Sequence, residues 1–252
     1  MPGDRVVVLK YRLRPTDRTK FDNPPPLDRE IDAFRVRLAD GEATFEMVEH
    51  HTTVDSARQR VEEYLRSWEI DAALNGIWDL SFEFVEADVI DAEKVHRAVR
   101  SVGDSLTLEW SIEAPTLSAY PNPPESFIAT EDVERLWRWY SDYIEGRERL
   151  AVMVYLCLTW LQEREATNLE ELAVRYRISQ PVLKKMSELA ANVGDEKSAR
   201  KFSKQSKLRA FAEKERTWIL AAVRMLIRRT GQVAASPGNR LPLLTISDLP
   251  PL

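Results

Sequence analysis

The chain has 252 residues, of which 36 are Lys or Arg, 41 are Asp or Glu and one is a cysteine. That length allows one large domain or two of ordinary size, and a lone cysteine excludes an internal disulfide framework and a multi-cysteine zinc site. The first residues lack the apolar core of a secretory leader, so we expect a reducing, cytoplasmic setting. The formal net charge of −5 by itself argues weakly against a nucleic-acid partner.

The charge is unevenly distributed along the chain. Residues 1–174 carry 20 basic and 35 acidic side chains, whereas residues 175–252 carry 16 basic and 6 acidic. A strong charge asymmetry between two parts of a chain is typical of a basic binding surface. The basic C-terminal part is therefore the first candidate for contact with a polyanion.

The N-terminal part begins with strand patterns. Residues 6–11 (VVVLKY) form a short β-rich run, and three consecutive prolines at 24–26 then predict a loop. Apolar residues alternate with polar ones on both sides of Asp40-Gly41. Since Gly tolerates the positive φ of a tight turn, this pattern predicts a β-hairpin over 33–49.

A helix and two further strands follow the hairpin. Apolar residues at three- and four-residue spacing predict an amphipathic helix over 54–74, capped by Thr52 or Thr53. Alternating patterns at 78–84 and 106–112 predict strands. Residues 91–100, between these two strands, are predicted to form a short helix.

Prolines between 115 and 124 end the strand patterns, and the chain then becomes helical. Residues 150–161 (LAVMVYLCLTWL) are apolar on every side. Because about 20 apolar residues are needed to span a bilayer, this shorter run predicts a buried central helix and no membrane anchor. A long amphipathic helix is predicted from about 211 to 230, with Gly231 as its end.

These patterns together predict an α+β fold. An N-terminal antiparallel sheet with a covering helix (1–115) is expected to precede a Pro-rich linker (116–128). An all-α C-terminal helical domain (129–231) and a Pro-rich tail (232–252) complete the predicted organisation.

Residues suited to catalysis or metal binding are scarce. His50 and His51 are adjacent in a predicted strand and therefore point to opposite faces, which disfavours joint chelation of one ion. Cys157 lies within the apolar helix, where burial disfavours a reactive thiolate. The sequence lacks a phosphate-binding Gly-rich loop, a nucleophile elbow and the Arg-x(4–6)-His motif of HEPN-type ribonucleases. We therefore expect no catalytic residues, no cofactor and no metal site.

Residues 168–188 read NLEELAVRYRISQPVLKKMSE, and the segment 168–190 resembles a helix-turn-helix. In that family a first helix of the form LxELA is followed by a short turn. An apolar residue and a Ser then lead into a second helix with a Val/Leu pair and basic residues. Two positions depart from the pattern, since Arg177 replaces the frequent Gly of the turn and Pro181 lies early in the second helix.

The resemblance implies that 180–190 is a recognition helix that contacts nucleic acid. Gln reads adenine edges, and Lys contacts guanine or phosphate. Basic residues also recur every three or four positions after this helix, which would gather them on one helical face. The predicted nucleic-acid-binding residues are Arg175, Arg177, Gln180, Lys184, Lys185, Arg200, Lys201 and Lys204.

The leading hypothesis is a non-catalytic, nucleic-acid-associated protein of regulatory or defence type, which contacts DNA or RNA through 175–209. The alternative is a protein–protein interaction or scaffold subunit whose basic surface docks an acidic partner. That partner could be the chain's own acidic half, within the monomer or across a homodimer. A nuclease with an unrecognised site is the third hypothesis.

Overall fold

A computed structural model describes residues 5–14, 19–78, 80–90, 95–98, 116–165, 168–192, 209–238 and 241–252, with the backbone alone at 95–98, 165 and 192. The chain divides into two compact units, Met1–Glu125 and Ser126–Leu252. The first is called the sheet unit and the second the helical unit.

The described elements of the sheet unit are β1 (Arg5–Leu13), β2 (Lys20–Phe21), β3 (Leu27–Glu30), β4 (Phe34–Ala39), β5 (Glu42–Met47), α1 (Val54–Leu74), β6 (Phe82–Ile90), β7 (Val95–Ala98) and β8 (Thr116–Leu117). Those of the helical unit are α2 (Glu131–Ile144), α3 (Leu150–Glu165), α4 (Leu169–Tyr176), α5 (Gln180–Asn192), α6 (Glu213–Ala235) and a 3₁₀ turn (Ile246–Asp248).

Within the described residues, six strands form an antiparallel sheet in the order β3-β4-β5-β1-β6-β7. The predicted hairpin is confirmed as β4 and β5, joined through Asp40 and Gly41 with φ values of 50° and 74°. The α+β fold predicted from the sequence is therefore observed, with a largely antiparallel sheet followed by helices.

Helix α1 covers one face of the sheet, as predicted. Thr53 caps it, since its hydroxyl oxygen accepts a hydrogen bond from the Ser56 amide at 3.2 Å. The fully buried Trp68 donates from Nε1 to the Pro121 carbonyl oxygen at 3.1 Å. Tyr120 is also buried in this core, and its hydroxyl accepts from the Gly41 amide at 3.0 Å.

The structure of the region after α1 differs from the sequence prediction. The short helix predicted over 91–100 is wrong, because Val95–Ala98 is a strand that pairs antiparallel with β6, with Val89 opposite His96. Pairing with a neighbouring strand outweighs local helical propensity. The strand predicted at 78–84 starts later, at Phe82, and runs to Ile90. The strand predicted at 106–112 lies outside the described residues.

Helix α3 packs within the helical unit but is not enclosed on every side. Met153, Cys157 and Leu161 are fully buried, whereas Val152 and Leu156 remain half-buried. In the described part of the chain, no helix is both long enough and apolar enough to cross a bilayer.

The prediction that α6 ends at Gly231 is wrong, because the helix continues through this residue to Ala235. A Cβ atom at position 231 would lie 2.4 Å from the ring of Phe127, which is itself buried. The missing side chain is therefore required for close packing of the Phe127 ring against the helix.

Candidate functional site

The segment with the strongest sequence signal folds into α4, a three-residue turn and α5. Asn168 caps α4, since its Oδ1 accepts from the amides of Glu170 at 2.9 Å and Glu171 at 3.0 Å. The two carboxylates in this first turn also suit the positive end of the helix dipole. Local sequence thus fixes where α4 begins.

Arg177 ends α4 in the left-handed region, with φ 54° and ψ 43°. This conformation costs a non-glycine residue roughly 1–2 kcal/mol. The backbone then closes the helix end, because the Ile178 amide donates to the Ala173 carbonyl at 3.0 Å. Arg177 thus occupies the kind of backbone position for which glycine is usually preferred.

Apolar residues of the two helices and the turn pack together in the interior of the helical unit. Their side chains are at most 2% exposed: Leu172, Tyr176, Ile178, Val182, Leu183 and Met186. The spacing of these residues leaves the opposite side of α5 facing solvent.

The solvent side of α5 carries part of the predicted contact set. Lys184 is exposed and has no ion pair among the described residues, and Gln180 is half-buried at the start of the helix. Lys185 instead pairs with Glu188 at 3.3 Å, its side chain being 30% exposed. Lys184 is therefore better placed than Lys185 to meet a phosphate.

The two predicted arginines of this segment differ in position. Arg175 is exposed, and its guanidinium lies 5.9 Å from the ring centroid of Tyr176. Arg177 is half-buried and donates from Nε to the Leu241 carbonyl oxygen at 3.2 Å. This hydrogen bond thus connects the turn to the C-terminal tail. The remaining predicted contacts, Arg200, Lys201 and Lys204, lie outside the described residues.

The tail forms a short parallel bridge with the turn. Leu244 pairs with Ile178, its carbonyl accepting from the Ser179 amide at 2.7 Å and its amide donating to the Arg177 carbonyl at 2.8 Å. Leu244 and Leu249 are buried. Part of the Pro-rich tail therefore belongs to the packed structure around the turn.

A buried arginine of α6 lies beneath this tail. Arg229 is 6% exposed and donates from Nη2 to the Pro242 carbonyl at 2.8 Å, while its Nε has no partner within the described residues. Burial lowers the pKa of Arg229, the Asp248 carboxylate opposes that shift, and the Arg177 guanidinium adds to it. Arg177 and Arg229 thus each donate a hydrogen bond to a backbone carbonyl of the tail, at Leu241 and Pro242 respectively.

The start of α6 carries an ion pair that the sequence analysis also missed. Arg209 donates from Nη1 to Glu215 Oε2 at 2.6 Å, and from Nη2 to Oε1. The hydrogen bonds from Arg209, together with that from the Ala212 amide, hold the pKa of Glu215 at about 2, and Lys185 adds a smaller attraction. This carboxylate caps α6 and neutralises one basic residue of the C-terminal part.

The residues considered for catalysis have ordinary structural surroundings. The prediction that His50 and His51 lie in a strand is wrong, because β5 ends at Met47. His51 lies with Nδ1 3.2 Å from the Ser56 hydroxyl and Nε2 3.6 Å from a Glu49 oxygen. Cys157 is completely buried, and burial raises the pKa of its thiol well above the usual range. Among the described residues, no group of His, Cys, Asp and Glu side chains is arranged to hold a metal ion.

Comparison with known proteins identifies no relative of this chain. No protein-family model matches the sequence, and neither a curated protein nor a solved structure matches it.

Proposed function

We propose that the helical unit binds DNA or RNA without catalysing a reaction, through α4, the turn and α5, as part of a regulatory or defence-type protein. The observation that carries the proposal is the turn itself. An eight-residue helix is followed by a left-handed Arg177, and the next helix begins at Gln180. A short turn with a residue of this backbone type is typical of a helix-turn-helix.

The packing supports the same proposal. In a helix-turn-helix the second helix enters the major groove, and residues near its N-terminus contact base edges. Here the apolar side of α5 is buried, while Gln180, Pro181 and Lys184 lie near its N-terminus and remain partly or fully exposed. We therefore assign Gln180 to a base contact and Lys184 to a phosphate contact.

The other predicted residues differ in exposure and in hydrogen-bond partners, so we assign them different roles. Arg175 is exposed at the end of α4, where it would contact the phosphate backbone. Arg177 and Lys185 are engaged by Leu241 and Glu188, so we assign them to positioning the turn and α5. The basic residues that follow α5 in the sequence remain proposed phosphate contacts.

A mobility-shift titration of the full chain with duplex DNA and duplex RNA, repeated across a salt series, tests the proposal. We expect binding that weakens steeply as salt rises. Lys184→Glu should weaken binding at least about tenfold, since it replaces an attraction to phosphate by a repulsion. Arg138→Glu is the matched control, because Arg138 is exposed on α2 in the same unit and should leave the affinity nearly unchanged.

Absence of binding to either duplex at about 50 mM salt, where phosphate contacts are strong, would contradict the proposal. An acidic protein partner would use the same positive charges. Retention on heparin without binding to either duplex would therefore favour the protein-partner alternative.

A further inference from the structure

The sheet unit contains an open cleft of about 730 Å³ that the proposed function does not use. It lies between α1 and the strand pair β1–β6. Small-molecule sites typically enclose about 300–1,000 Å³, with an apolar lining and a few fixed polar groups. The cleft has the volume of such a site, so the arrangement of its side chains decides what would bind.

The cleft is lined by aromatic and apolar side chains as well as by charged ones. Tyr11, Leu65 and Phe84 are buried, being 1%, 4% and 8% exposed. The rings of Tyr11 and Phe84 meet edge to face, with centroids 5.6 Å apart. Phe82 also lines the cleft and is half-buried. Of these residues Phe82 is the most exposed, so its ring offers the surface on which a flat, aromatic ligand would stack.

A guanidinium group is held over this aromatic lining. The Arg58 guanidinium carbon lies 4.4 Å from the centroid of the Phe84 ring. Its Nε and Nη2 donate to Glu62 Oε1 at 3.0 and 2.8 Å. Because both the ring and the carboxylate hold it, Arg58 is preorganised as a flat cation, on which nucleobases stack readily.

The Glu62 carboxylate still has an oxygen that can accept hydrogen bonds from a ligand. The bonds that Glu62 accepts from Arg58 and from the Tyr11 hydroxyl, the latter at 3.4 Å, all use Oε1. Within the described part of the chain Oε2 accepts none, and the Glu62 side chain is 46% exposed. An ionised carboxylate oxygen accepts hydrogen bonds but does not donate them. It therefore favours a ligand with an amino group over one with a carbonyl at the same position.

Arg14 supplies a cationic group at the cleft. It pairs with Glu83 at 3.3 Å through one nitrogen, and its side chain is 58% exposed. A guanidinium has five N–H donors, so this pairing leaves donors for a phosphate.

We propose that this cleft binds a nucleotide whose base carries an exocyclic amino group. The base stacks on Arg58 and Phe82, its amino group donates to Glu62, and Arg14 holds the phosphate. The nucleotide comes from one of two sources, a free mononucleotide or an unpaired nucleotide in a single strand.

The test compares 5′-CMP with 5′-UMP, which differ at two neighbouring positions: cytosine has an amino group at C4 and an accepting N3, whereas uracil has a carbonyl at C4 and an N–H at N3. Isothermal titration of the full chain should show CMP binding in the millimolar range or tighter, about tenfold tighter than UMP. In Glu62→Gln this preference should disappear, because an amide group both donates and accepts. Arg58→Lys should weaken both ligands, since Lys keeps the charge but not the flat surface.

Arg35→Lys is the matched control, because Arg35 pairs with Glu30 on the other face of the sheet and should leave both affinities unchanged. Far-UV circular dichroism checks that each variant is folded. Equal affinity for CMP and UMP in the wild type, or no binding of either at millimolar concentration, would overturn the proposal. So would an undiminished CMP preference in folded Glu62→Gln.

Single-stranded oligodeoxycytidine distinguishes the two sources. If the oligonucleotide binds, and Glu62→Gln weakens its binding by the same factor as the binding of CMP, an unpaired nucleotide of a strand is a ligand. If CMP binds and the oligonucleotide does not, the ligand is a free nucleotide. Lys184→Glu should not change CMP binding, so this proposal and the proposed function of the helical unit can fail separately.

Discussion

On the outer face of the sheet, acidic and basic residues of neighbouring strands stand opposite each other. Glu30 pairs with Arg35 at 2.9 Å, Asp28 is in register with Arg37, and Lys10 pairs with Glu86 at 2.7 Å. In the helical unit, by contrast, Lys184 is exposed without an ion pair among the described residues. The sheet unit thus balances these charges within its own surface, whereas the charge of Lys184 on α5 stays exposed and unpaired among the described residues.

The difference shows that a net charge does not tell which charged residues are available for binding. In the helical unit the basic residues also divide into separate classes: Arg229 is buried, Arg177 fastens the tail, and Arg209 neutralises Glu215. Only the surroundings of each side chain distinguish a structural cation from a binding one.

The largest effect on stability is expected from the buried cation. Arg229→Ala should lower the free energy of unfolding by about 2–4 kcal/mol, because it leaves a cavity and an unpaired Pro242 carbonyl. Urea unfolding measures the loss, and hydrogen exchange at the Ser179 and Leu244 amides should accelerate. Lys214→Ala, on the exposed first turn of α6, is the control and should cost much less. Equal stability of the two variants would show that Arg229 does not support the tail.

A pH-dependent effect is expected at Glu215. Its pKa in the folded protein, about 2, lies below the ordinary 4.5 because of the hydrogen bonds from Arg209. The stabilisation is therefore complete above the ordinary pKa and is lost as the pH falls toward the folded-state value. Wild type should be more stable than Glu215→Gln at neutral pH, and the difference should vanish on acidification.

Arg209→Gln should reproduce that pH dependence, since it removes the other partner of the same ion pair. Urea unfolding at several pH values gives the comparison. If the free energies of unfolding of wild type and Glu215→Gln differ by the same amount at every pH, the ion pair is excluded as the origin of the difference.

The smallest effect is expected on the outer face of the sheet. Arg35 and Glu30 are both more than 60% exposed. Arg35→Ala should therefore change the free energy of unfolding by no more than about 1 kcal/mol, as is typical of surface ion pairs. Thermal unfolding at low and high salt measures this. A loss comparable to that of Arg229→Ala would remove the distinction between the paired surface of the sheet unit and the buried cation of the helical unit.

Local signals made much of the fold predictable from the sequence. Asp40-Gly41 predicted the hairpin turn, and Thr53 was one of two predicted caps of α1, because both act through their immediate neighbours. The strand β7 was not predictable in this way, since it depends on pairing with β6. Gly231 was misread as a helix end because its partner, Phe127, is distant in the sequence.

The candidate site was predictable only in part, for the same reason. The residues of α5 were found from their spacing and charge, and Lys184 has the exposure expected of a contact. The bond from Arg177 to Leu241 joins residues 64 positions apart, so the local pattern does not show that Arg177 is engaged. Nor does it show the burial of Arg229 or the pairing of Arg209 with Glu215.

The most direct test of the proposed nucleic-acid contact is the salt dependence of duplex binding in Lys184→Ala and Arg35→Ala. The slope of log binding constant against log salt counts the phosphate contacts. We predict that Lys184→Ala reduces the magnitude of this slope by about one, whereas Arg35→Ala leaves it unchanged. A slope unchanged in Lys184→Ala, or reduced instead in Arg35→Ala, would contradict the assignment of nucleic-acid binding to α5.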